Sequence, residues 1–149
     1  DKVGAQKIKE NMADPCEYLM QLHRKKILKT DFPVQTAEKI TYHVPCHLKV
    51  QNIGFQSRDL LKLLPNTQVQ TVQQCSGHDG SFSMKKEYYQ ISLHEGRKLF
   101  KAIEKEKPAV VASDCSLAHL HIEEGTDEQA LHPIEIVYQA MGLTQFLNK

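Results

Sequence analysis

PAVVASDCSLAHL, residues 108–120, holds a whole strand-to-helix transition in thirteen residues. The short apolar run at 109–113 reads as a buried strand. It ends at Asp114 and Cys115, and a helical segment starts near Ser116. A strand that passes this abruptly into a helix is the building unit of a parallel sheet. Two more units precede it. KITYHVP at 39–45 is β-rich, runs into Cys46 and His47, and is followed by a helix at about 54–64. TQVQTVQQ at 67–74 is a strand ending at Cys75, followed by a long helix at about 83–106. Three such units predict an α/β domain with a largely parallel sheet, flanking helices and right-handed crossovers.

The remainder is helical at both ends. Residues 1–32 read as helix, with Asp14 as N-cap, Pro15 at N1 and Glu17 in the first turn. Tyr18, Leu19, Leu22 and Ile27 supply its apolar face. Residues 132–143 read as a closing helix with Gly142 near its C-cap. The expected division is a helical lead-in and linker at 1–38 and a cysteine-rich α/β domain at 39–149.

The strand ends carry the chemistry. Cys46, Cys75 and Cys115 each follow a strand, with 28 and 39 residues between them. Ligands of open α/β sheets collect at the carboxyl ends of the strands, so the three thiols are expected on one rim. Thiolates suit iron–sulfur clusters and zinc. The CxxC pairs of zinc ribbons, the close cysteine run of ferredoxins and the CxxCH of c-type haem are all absent. Cys16 lies in the first turn of the entry helix and reads as incidental.

Histidines surround these thiols. In CSGHDG, residues 75–80, His78 is a candidate ligand and Asp79 a candidate cap for the next helix. No GxSxG elbow is present, and a Cys75–His78 dyad need not close on a loop. His47 beside Cys46, Asp79 in the Cys75 loop, and His119 one turn beyond Cys115 are placed to support ligands. His43 reads as half-buried and hydrogen-bonded. His119 and His121 are two apart on a helix and point to different faces.

Composition narrows the classes. The chain has 149 residues, is 40% hydrophobic and 25% charged, and carries a net charge of +1. That balance argues against nucleic acid as the main partner. The cationic Lys49, Arg58, Lys85 and Lys86 near the cysteine loops read as helix surface. No apolar run reaches bilayer-spanning length and no secretory leader is visible. Dispersed thiols in such a chain are expected reduced, in the cytoplasm. Asp1 suggests a fragment or processed product.

YHVPCHLKVQNIG, CSGHDGSF and ASDCSLAHLHI, in this order and spacing, resemble the cysteine-rich "CCG" domain. That domain occurs in heterodisulfide reductases and in anaerobic glycerol-3-phosphate dehydrogenases. DPCEYLMQLHRKKILKTDF and HPIEIVYQAMGL are similar to the latter branch. The resemblance implies an iron–sulfur electron-transfer domain of an oxidoreductase complex, non-catalytic in itself. It implies the C-terminal of two copies in a longer protein. The implied partners are the N-terminal half and a flavoprotein dehydrogenase or other redox subunit. Association with the inner face of a membrane would then run through those partners.

Two departures bear on the cofactor. The fullest family pattern has paired cysteines in the CCG motif and a late CxxC. Here Ser76 follows Cys75, and Ala118 stands three places after Cys115. Three thiols suit a [3Fe-4S] cluster, or a [4Fe-4S] cluster with a fourth ligand from His78, Asp79, the missing half of the longer protein or a substrate. The alternative is zinc as Cys3His, in a protein-interaction module without redox role. No residue set for bond-making chemistry on a substrate is legible.

Overall fold

A computed structural model describes residues 1–146. Its elements are α1 (Lys2–Asn11), α2 (Pro15–Arg24), β1 (Lys39–His43), α3 (Cys46–Gln51), α4 (Gln56–Leu61), β2 (Gln68–Val72), α5 (Lys86–Glu106), β3 (Val110–Ser113), α6 (Ser116–Thr126), β4 (Ala130–Leu131) and α7 (Pro133–Ala140). A 3-10 turn follows at Leu143–Phe146. The four strands form one sheet in the order β2-β1-β3-β4. Every pairing is parallel, as the strand–helix units require.

Alternation along the strands builds two cores. Ile40, Tyr42 and Ala112 face one side and pack with Cys16, Leu60, Leu61, Ile136 and Val137 of α2, α4 and α7. Val111 and Val72 face the other side and pack with Leu99, Phe100, Ile103 and Ile122 of α5 and α6. The central strands β1 and β3 are therefore buried on both faces. The edge strand β2 keeps its glutamines in solvent. Helix α2 belongs to the first core through Cys16 and Met20, whereas α1 buries no residue.

Several boundaries differ from expectation for local reasons. The entry helix is two helices, and α2 stops at Arg24, with Lys26 left-handed at φ 58°. Ile27 thus lies outside it and is exposed, as is Tyr18; the inward face of α2 is Cys16 and Met20, with the expected Leu19 partly buried against the same core. Asp14 does cap α2, accepting from Glu17 N at 2.8 Å. Asp79 caps no helix. It is left-handed at φ 42°, its carbonyl accepts from Phe82 N in a turn, and α5 begins only at Lys86. Helix α7 is fixed by a capping box between His132 and Glu135, and ends at Ala140 with Gly142 at φ 71°. Helix α3 and the two-residue β4 carry too little periodicity to be read from sequence.

Candidate metal centre

The sheet register places the thiols. His43 pairs with both Val72 and Ser113, so β1, β2 and β3 end on one line across the sheet. Cys46, Cys75 and Cys115 follow those three residues by only three, three and two positions. Short exits from aligned parallel strands leave the thiols little freedom to diverge. They line one cleft of about 460 Å³, together with His43, His47, His78 and Asp79. Cys46 and Cys75 are exposed and Cys115 is partly buried; all are free thiols. Cys75 Sγ accepts from Gly77 N at 3.3 Å.

His78 forms part of the same wall and is buried. Its Nδ1 lies 2.5 Å from Ser83 Oγ, while Nε2 is buried without a partner among the described residues. Its ring meets that of His121 edge-on at 5.3 Å. Burial, then His121, pushes the His78 pKa below its usual range, with Asp79 opposing. One ring nitrogen is thus held by a hydroxyl and the other is left unpaired.

The other histidines divide by role. His47 is exposed on the rim. His119 Nε2 donates to the Ser113 carbonyl at 2.8 Å, and so turns back onto β3. His121 bonds to the Ser76 carbonyl at 3.0 Å and is buried. His43 is not half-buried but 2% exposed, bonded to Ser113 Oγ and Gln74 O. The sequence signal for it is its position on a fully buried strand.

Behind Cys115 lies a second polar cluster that the sequence does not reveal. The Asp114 carboxylate accepts from Tyr42 Oη at 2.6 Å and from Ser57 Oγ. His132 Nε2 stands 3.8 Å from Asp114. Cys16 is wholly buried beside Ser57, and burial pushes its thiol up to about 12. It is held far from the thiolate state a metal ligand needs.

The donors fit a thiolate-bound metal group by type and by shared cleft. His78, whose Nε2 is unpaired among the described residues, is a further nitrogen donor on the cleft wall. Their present spacing is open: among the described residues no three His, Cys, Asp or Glu stand close enough to hold an ion.

A parallel α/β sheet with cysteines gathered beyond its strand ends defines a cysteine-rich domain. The chain belongs to the family described as "CCG: Cysteine-rich domain", which it matches over residues 40–123. It is 33% identical over 105 residues to the C-subunit of anaerobic glycerol-3-phosphate dehydrogenase from Escherichia coli K12, and equally to that of strain O157:H7. Those matches cover 70% of this chain and 26% of each relative, so the chain spans about a quarter of the proteins it resembles. No solved structure gives a significant match. Among the described residues, no helix is long and apolar enough to cross a membrane.

Proposed function

We propose that this chain is an electron-transfer domain that holds an iron–sulfur cluster through Cys46, Cys75 and Cys115, with His78 Nε2 as fourth ligand. The observation that carries the proposal is that three free thiols and the buried His78, whose Nε2 is unpaired among the described residues, line a single cleft. The cluster would supply one-electron redox chemistry. The protein's part is to provide thiolates, orient His78 through Ser83, and limit water with Leu117, Ala118 and Phe82 on the cleft wall.

The similarity to part of a dehydrogenase supports a place in an oxidoreductase complex. The partners proposed are the rest of a longer chain and a flavoprotein or other redox subunit. The proposed location is cytoplasmic, at the inner face of a membrane through those partners.

Zinc is the second reading, because three cysteines and the unpaired His78 nitrogen also make a Cys3His set. The domain would then be an interaction module. Metal and acid-labile sulfide analysis with EPR separates the two, on full-length protein purified without oxygen beside Cys75→Ala. Iron and sulfide lost together in the variant support the cluster. Zinc without sulfide, or iron unchanged by the substitution, overturns it.

A further inference from the structure

His43 touches all three routes into the thiol cleft. It sits on β1 between β2 and β3, three residues before Cys46. Its Nε2 lies 3.0 Å from the carbonyl of Gln74, the residue before Cys75. Its Nδ1 lies 2.9 Å from Ser113 Oγ, and that oxygen accepts from Cys115 N at 3.4 Å. A carbonyl can only accept, so Nε2 carries the proton. In the neutral ring Nδ1 then accepts from the Ser113 hydroxyl.

The position of these bonds along the sheet is what gives them a role. The β1–β2 register ends at His43 and Val72, followed by one bond from Val44 N to Val72 O at 3.0 Å. Beyond that point the strands part, and the cysteine loops begin. The imidazole continues the cross-strand link after the backbone ladder has stopped. A buried ring of this polarity is costly unless both nitrogens are bonded, and an aliphatic side chain would pack there without that cost.

We infer that His43 is the positioning residue of the thiol set, fixing the spacing of the Cys46, Cys75 and Cys115 loops across the cleft. The inference rests on reading those cysteines as one donor set. It does not depend on which metal they hold.

The test is chemical bridging among Cys46, Cys75 and Cys115, located by peptide mass mapping, in full-length, reduced, metal-free protein carrying Cys16→Ala. A bifunctional bimane links two thiols only when they are close, and a monofunctional bimane controls for exposure. His43→Leu is expected to lower bridging several-fold while single-thiol labelling holds. His43→Gln, which keeps one donor and one acceptor, is expected to restore most of it. Ser113→Ala, which leaves the ring in place, is expected to give a partial loss. Bridging at the parent rate in His43→Leu overturns the inference, as does glutamine performing no better than leucine. If His43→Leu does not fold, Ser113→Ala decides: unchanged bridging overturns the inference, and reduced bridging supports it. Loss of bridging here with no iron effect in Cys75→Ala would overturn the cluster while leaving this inference standing.

Discussion

His78 and Ser83 are joined at 2.5 Å through Nδ1 and Oγ, and the opposite nitrogen of the same ring has no partner among the described residues. Ser83 therefore fixes which nitrogen is free. Its bond to the ring is the kind of outer contact that holds a ligating histidine in place.

Ser83→Ala is accordingly expected to weaken metal binding by about 10–100-fold, a typical cost of losing such a contact. His78→Gln should weaken it at least as much. Competition titration with zinc on reduced protein measures both. Unchanged affinity in both variants removes His78 from the ligand set.

The buried His43 makes stability depend on pH. Its pKa falls from 6.5 to about 4, chiefly through burial, with the Gln74 bond opposing and Lys49 and neighbouring histidines adding smaller effects. Between those values the unfolded chain binds a proton that the folded chain does not. The contribution is whole above the unfolded pKa and declines as pH falls toward the folded one. The difference is worth about 3 kcal/mol. Urea unfolding at several pH values should show this loss in the parent and a smaller one in His43→Gln. Equal pH profiles would refute it.

Two glycines of the Cys75 loop should behave differently. A Cβ on Gly77, at φ 82°, would overlap the Ser92 carbonyl of α5. A Cβ on Gly80, at φ 58°, meets nothing within 4 Å. The glycine at 77 is thus there for close packing of the loop on α5. Gly80→Ala should cost about 1–2 kcal/mol of backbone strain, and Gly77→Ala clearly more. Denaturant midpoints test the ranking, which equal costs would contradict.

Thiol reactivity should separate the four cysteines. Cys16 is wholly buried with its pKa raised to about 12, whereas Cys46 and Cys75 are exposed. Alkylation of folded, reduced, metal-free protein at neutral pH should label Cys46 and Cys75 far faster than Cys16. Cys16 labelled as fast as the others would mean that α2 does not hold its place in the core.

Much of the fold is legible because its signals are local. The apolar run at 109–113 and the capping residue Asp14 fix their elements within a few neighbours. The cysteine after each strand follows the same logic, since parallel strands direct their carboxyl ends to one edge. The resemblance of the three cysteine motifs points to the family that residues 40–123 match. Asp79 escapes such reading because a helix cap depends on where the next helix begins, and the turn at 79–82 delays it to Lys86.

The α/β class, the strand-end position of the three thiols and the absence of paired cysteines are all written in the order of residues. How those ends align is settled only on folding. Register is a property of paired strands, and His43, Val72 and Ser113 meet only once the sheet has formed. The same holds for the His43 bonds to Gln74 and Ser113, which span 31 and 70 residues of chain. It holds too for the Asp114 cluster with Tyr42 and Ser57. Buried polar groups must find partners wherever packing places them, and no local pattern records which partners those are.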